Sequence, residues 1–180
     1  IYQSVGRKLA EIFSVHSAVI YTVEFDTQTM TYEFAYEQGK EWDIPPKKAT
    51  NLHMHIVEQV RATRKSFVVN RNFEDYASSY PDFKGSRSRL PKSLCAVPMI
   101  IRKNFVTGIS LQNLELEDYF TESALRLLET IASAGVVALE NARLFNETKR
   151  RAAELEILND IGQVLTQQLD VNTIIEKVGD

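Results

Sequence analysis

Three histidines and a single cysteine are the residues of this chain best suited to metal or nucleophilic chemistry. His53 and His55 lie two apart on a segment with helical character, so they point to different faces and cannot clamp one metal ion as an i, i+4 pair would. One surface and one core histidine is the expected arrangement. Cys95 sits inside an apolar run and reads as a small buried hydrophobe rather than a redox thiol, which needs an electropositive, exposed setting. One cysteine can form neither an intrachain disulfide nor a cysteine-rich zinc site. There is no Ser/His/Asp grouping, no H-E-x-x-H motif, and the seven glycines are singly placed, which excludes a phosphate-cradling loop. No catalytic constellation and no metal site are therefore expected.

Two groups are better suited to binding. Tyr21, Phe34, Tyr36 and Trp42 gather aromatic surface around one predicted hairpin, where it could pack a core or wall a pocket for a planar ligand. Lys84 to Lys103 holds six basic residues and no acidic one. A solvated loop and hairpin turn explain most of it. The sharper reading places Arg87 and Arg89 on a pocket lid that attracts an anionic ligand through paired hydrogen bonds.

The elements that must position these groups follow from periodicity. Ile1, Val5, Leu9 and Ile12 form one stripe of a first helix. Val19, Tyr21, Val23 and Phe25 alternate along a strand, as do Met30, Tyr32, Phe34 and Tyr36, with the turn Asp26–Thr29 between them: an antiparallel hairpin with one buried face. Asn51 can cap a helix to about Arg64, and Ser66–Asn70 is a short strand. Residues 71–92 are turn-rich, with room for a short helix near Glu74–Ser79. Ser93–Ile101 and Phe105–Asn113 are two further strands, with Pro98 at an edge or bulge. Strands and helices mix without βαβ alternation, so the fold class is α+β with a mainly antiparallel central sheet.

The last third is helical. Thr121 is its expected N-cap, with Phe120 stapled onto Leu125. Arg126, Glu129, Thr130 and Ser133 form one narrow polar stripe, and the remaining surface exceeds the roughly 100° that packing on a sheet requires. Farther on, Leu155, Leu158, Gly162, Leu165 and Leu169 follow a heptad seam. A helix from Thr121 to about Gln168 would run roughly 72 Å, whereas a compact chain of this size has a radius of gyration near ~16 Å. Leu128, Ile131, Leu139, Leu155, Leu158 and Leu165 are thus expected to meet a second helix, most simply that of a second copy. Ile1, Val5 and Gly6 recur as Ile174, Val178 and Gly179, so the chain is expected to end just inside a second module of the same kind.

Of the 180 residues, 44% are hydrophobic and 25% charged, with a net charge of −3. Neither bulk nucleic-acid affinity nor a membrane span fits: the apolar run Cys95–Ile101 contains Pro98 and is far shorter than a span requires. No secretory leader is expected, and the expected location is cytoplasmic.

The segments Ser93-Leu-Cys-Ala-Val-Pro-Met-Ile, Val106-Thr-Gly108-Ile-Ser-Leu-Gln-Asn113, Phe120-Thr and Ala138-Leu-Glu-Asn-Ala-Arg-Leu together resemble the GAF domain from about Ile1 to Asn146. The resemblance implies a PAS-like central antiparallel sheet, with terminal helices on one face and a small-molecule pocket on the other. It divides the chain into a sensory domain over 1–146, a coiled-coil-like signalling helix over 147–170 and the start of a second, truncated GAF-like module over 171–180. The family context it suggests is a bacterial histidine kinase of a two-component system, a nucleotide cyclase or a similar regulator, in which neighbouring GAF and output domains lie on the same polypeptide and any catalysis lies outside this chain. The cyclic-nucleotide subclass is not expected, because Asn113 and Phe120 match its pattern while Leu114, Ala124 and Leu125 depart from it. A covalent bilin is not expected either, since Cys95 lies in a strand and Ala96 follows it. An unidentified small molecule remains as ligand, with Tyr21, Phe34, Tyr36, Trp42, Arg87, Arg89 and Cys95 as pocket candidates. The alternative is a ligand-free dimerisation spacer whose pocket is filled by its own aromatics.

Overall fold

A computed structural model describes residues 2–84 and 89–178, with side chains to residue 163. It comprises two compact units, Ile1–Ala138 and Leu139–Asp180.

The first unit opens with α1 (Tyr2–Phe13), whose buried residues are Gly6, Leu9, Ala10 and Phe13. The expected stripe is rotated relative to this: Ile12 is exposed. Its place is taken by Gly6, which lets α1 approach the sheet, because a Cβ there would lie 2.2 Å from the Phe34 ring. The hairpin strands are β1 (Ser17–Glu24) and β2 (Thr29–Glu37). A tight turn through Gln38 and Gly39, both at positive φ, leads to β3 (Lys40–Glu41), as expected of a hairpin turn matched to strand twist. After β4 (Lys47–Lys48) comes α2 (Asn51–Thr63), then β5 (Phe67–Val69) and α3 (Phe73–Ser78). The two long strands β6 (Ser93–Ile101) and β7 (Phe105–Asn113) precede α4 (Glu122–Val178).

All strand pairs are antiparallel, in the order β3-β2-β1-β7-β6-β5, with β4 also paired to β2. β5 pairs only with residues 94–96 of β6, so Pro98 lies where β6 is an edge, and the register shifts between Pro98 and Ile100. The missing proline N–H thus costs no ladder bond.

The sheet is covered on both faces, so the hairpin has two buried sides rather than one. On one face α1 and residues 122–138 of α4 pack over Ile20, Phe34, Cys95, Val97, Ile109 and Leu111. On the other, α2 and α3 pack over Tyr21, Val23, Leu94, Ala96 and Val106. The Thr121 hydroxyl caps α4 by accepting from the Ala124 N–H at 3.2 Å, and Phe120 is buried with Leu125 packed against the same cluster. Leu128 is fully buried in this core. It is therefore unavailable to a second helix, which corrects its assignment to the dimer face. Ile131 is half-buried against the same cluster.

In the second unit Leu139 is half-buried, whereas Leu155 and Leu158 are 66% and 63% exposed. Leu165, Leu169 and the Val178–Gly179 repeat lie outside the residues whose side chains are described. Charge pairs at helical spacing line this segment: Arg143 with Glu140 and Glu147, and Arg151 with Glu147. Such pairs keep the helix regular in water but add little stability. Among the described residues no helix is long and apolar enough to cross a membrane.

Candidate functional site

The face of the sheet opposite α1 carries a cavity of about 380 Å³ between the strands, α2 and the segment that follows α3. This is within the size range of small-molecule sites. Its origin is a β-bulge. Ile20 pairs with Phe34 and Tyr21 with Tyr32, so Glu33 is the extra residue of β2. The bulge inverts the side-chain alternation: Met30 and Tyr32 face the cavity, but beyond Glu33 it is Ala35 and Glu37 that do. Phe34 is turned to the α1 face, and Tyr36 packs against that cluster while its residue still borders the cavity rim. The uninterrupted alternation Met30-Tyr32-Phe34-Tyr36 expected from sequence is thus broken midway. Without the bulge, Phe34 would occupy the space that Ala35 leaves open.

Strand register arranges the floor in three rows. The middle row, Ala35, Val19, Ser110 and Ala96, is made of small side chains and creates the depth. On one side lies a polar row of Glu37, Ser17 and Gln112, ending at Leu94; on the other lie Tyr32 and Tyr21 beside Gly108. Gly108 is required there, because a Cβ would meet the Tyr21 hydroxyl at 2.8 Å and the Val97 carbonyl at 3.0 Å. Polar atoms of this floor that are buried without a hydrogen bond among the described residues include the Tyr21 hydroxyl and Gln112 Oε1. Burial also raises the Tyr21 hydroxyl above its ordinary range, so it is held neutral.

The roof is built by the start of α2. Thr50, not Asn51, is the N-cap: its hydroxyl accepts from the His53 N–H, while His53 Nδ1 receives the Thr50 backbone N–H at 3.4 Å and its hydroxyl at 2.7 Å. A ring nitrogen that accepts both leaves the proton on Nε2. Desolvation, with a smaller contribution from Lys47, lowers the imidazole from 6.5 to about 4 against the opposing pull of Asp82. His53 is therefore a neutral cavity wall. His55, on the other side of the helix, packs against Phe67, Tyr76 and Tyr80. Both histidines are half-buried, so the division into a surface and a core residue does not hold. No group of metal-ligating side chains occurs among the described residues.

The charged side chains at the walls are engaged by the protein. Asp82 accepts from the Asn51 N–H at 2.6 Å, Lys84 donates to the Pro81 carbonyl at 2.8 Å, and the Lys47 ammonium lies 5.2 Å from the centre of the Tyr32 ring. With Glu37 they make two cations and two anions.

Of the residues singled out from sequence, Tyr21, Tyr36 and Trp42 line this cavity. Phe34 and Cys95 belong to the opposite face. Cys95 is fully buried there, and desolvation raises its thiol well above the usual range. Arg89 is exposed and does not line the cavity. Arg87 lies outside the described residues. Sequence reasoning missed His53, Gln112, Ser110 and Ala35; the only signal for Ala35 and Ser110 was their small size between bulky neighbours along the chain.

Asn70, Arg71 and Asn72 clasp the loop leading into α4. The Asn70 side chain donates to the Phe120 carbonyl at 2.8 Å and accepts from its N–H at 3.2 Å; Arg71 pairs with Asp118, and the Asn72 N–H reaches Glu117 at 3.0 Å.

A family model of the GAF domain matches residues 1–139. The hybrid signal transduction histidine kinase G of Dictyostelium discoideum is 24% identical over 102 residues, 57% of this chain; the match spans 3% of that kinase. Among solved structures, the far-red-absorbing dark state of JSC1_58120g3 with bound biliverdin IXα superposes with a TM-score of 0.58 at 14% identity, covering 79% of this chain and 89% of that one. The corresponding domain of an Acinetobacter phosphoenolpyruvate-protein phosphotransferase gives 0.52 at 15% identity, covering 79% and 81%. At these identities the structural likenesses establish the fold.

Proposed function

Because the chain belongs to the GAF domain family, a family of signalling sensor modules, we propose that it is the small-molecule-sensing part of a larger signalling protein, with the cavity under α2 as its ligand site. The observation that carries this reading is a cavity of about 380 Å³ floored by a row of small side chains and kept open by a bulge that turns Phe34 away. A ligand-free spacer would be expected to fill that space with its own aromatics. The output, in a histidine kinase, cyclase or similar regulator, lies on other parts of the polypeptide.

Ligand binding acts by favouring one of two arrangements. Asn70, in the loop between β5 and α3, bonds the backbone of Phe120, one residue before the cap of α4, and this contact is the proposed route to the helix. The exposed Leu155 and Leu158, in heptad spacing, support pairing of this helix with that of a second copy. A covalent bilin is not proposed, although one structural neighbour holds biliverdin: the chain's one cysteine, Cys95, is buried on the opposite face of the sheet.

The test is to denature purified protein, identify released small molecules by mass spectrometry, and screen those and other metabolites by thermal shift. A compound that co-purifies and raises the unfolding temperature supports the sensor. Absence of any such compound across the screen would favour the spacer.

A further inference from the structure

His53 uses one ring nitrogen for its own helix and leaves the other for the cavity. The Thr50 backbone N–H can only donate, so its contact with Nδ1 at 3.4 Å fixes that nitrogen as an acceptor. The Thr50 hydroxyl accepts from the His53 backbone N–H and donates to the same Nδ1 at 2.7 Å. The proton of the neutral ring therefore sits on Nε2. No hydrogen bond to Nε2 occurs among the described residues. Phe83 meets the ring edge-on with centroids 5.4 Å apart, the Asp82 carboxylate accepts from the Asn51 N–H at 2.6 Å, and the Lys47 ammonium lies on the Tyr32 ring. Nor is Nε2 sealed off as the Tyr21 hydroxyl and Gln112 Oε1 are, since it is not among the buried unpartnered atoms. A donor without a partner thus remains accessible on a residue that lines the cavity.

Desolvation is the largest cause of the lowered imidazole pKa, and the two charged groups that act on the ring, Lys47 and Asp82, oppose each other. The ring is accordingly neutral at physiological pH, where Nε2 is a donor and not an acceptor. A desolvated N–H without a partner costs free energy, and a bound acceptor recovers it. Beneath this roof the floor offers Val19, Ala35, Ser110 and Ala96, on which flat apolar surface can lie. An acceptor on Nε2 also polarises the ring so that Nδ1 holds the Thr50 bonds more strongly, which joins ligand binding to the cap of α2.

Resting on the sensor reading above, we infer that His53 is the polar anchor of the cavity: its Nε2–H donates to a lone-pair acceptor, a ring nitrogen or carbonyl oxygen, on a flat ligand whose apolar surface lies over Val19, Ala35, Ser110 and Ala96.

The experiment is an NMR titration at neutral pH with quinoline and naphthalene, flat two-ring compounds of one shape, of which only quinoline carries a lone-pair acceptor. Naphthalene leaves water more readily, so the quantity read is the ratio of quinoline to naphthalene affinity, compared between wild type and variant. His53→Asn keeps an acceptor for the cap but withdraws the donor from the cavity, and is expected to lower that ratio about five- to tenfold. His53→Gln, whose longer amide reaches the position of Nε2, should restore part of it. In wild type labelled with nitrogen-15 histidine, quinoline but not naphthalene should move the His53 Nε2–H resonance downfield; this readout stays decisive if either variant folds poorly, and a histidine that serves only the helix cap would not give it. Ser110→Leu, or Ala96→Val if the former folds poorly, should abolish binding of both compounds by filling the cavity from its floor. A ratio unchanged in His53→Asn, or an unmoved Nε2–H resonance, with binding still lost in Ser110→Leu, overturns the anchor and leaves the cavity as a ligand site. Undiminished binding to the filled variant places the compounds elsewhere and removes support from both the anchor and the sensor reading. No binding of either compound to wild type overturns the inference.

Discussion

Protonating His53 would cost the α2 cap its acceptor, because Nδ1 receives both hydrogen bonds from Thr50. The imidazole is held at about 4 against its ordinary 6.5, so as the pH falls the unfolded chain takes up a proton before the folded one does. This contribution to stability is fully present above pH 6.5 and is lost as the pH falls toward 4, by on the order of 2 kcal/mol. Urea unfolding between pH 7 and 4 should show the loss in wild type and a flatter profile in His53→Gln. From sequence His53 could be placed on a helix but not over a cavity, since its neighbours Asp82 and Phe83 are about 30 residues away. Cys95 was legible as a buried hydrophobe because its whole run is apolar. Which face of the sheet it joined was not, since in a sheet covered on both sides hydrophobicity no longer marks one face.

At the scale of elements, the long strands and most helices follow from periodicity and turn chemistry, and the bulge is where periodicity misleads. Alternation through Met30-Tyr32-Phe34-Tyr36 is perfect in the sequence, yet one extra residue at Glu33 splits it between two cores. The reason lies in tertiary contact: Phe34 is needed under α1, where Gly6 makes room for its ring. Gly6→Ala gains about 1 kcal/mol of helix propensity, but overpacking against Phe34 costs about 1–3 kcal/mol. The net expectation is destabilisation of about 1 kcal/mol, read as a lower denaturation midpoint at unchanged denaturant dependence. The Asn70 clasp was equally hidden, because its partner at Phe120 is separated from it by 50 residues.

For the whole molecule, the sequence reveals a helix that outruns its domain, and the structure divides its apolar positions by use. Leu128 and Ala132 serve the core of the first unit, while Leu127, Val137, Leu144, Leu155 and Leu158 are exposed and keep one heptad register. Dimerisation through that register predicts that the double variant Leu155→Lys, Leu158→Lys shifts the protein toward monomer in light scattering, with the first unit still folded; an unchanged mass would reject this pairing. The central claim joins the two scales: occupancy of the cavity is felt by the helix. Amide hydrogen exchange, with and without a compound that binds, tests it most directly, in wild type and in Ser110→Leu. Altered exchange is expected both in α2 and in residues 139–163 of wild type, and in neither region of the filled variant. Changes confined to α2 and the cavity walls, or identical changes in the filled variant, would contradict it.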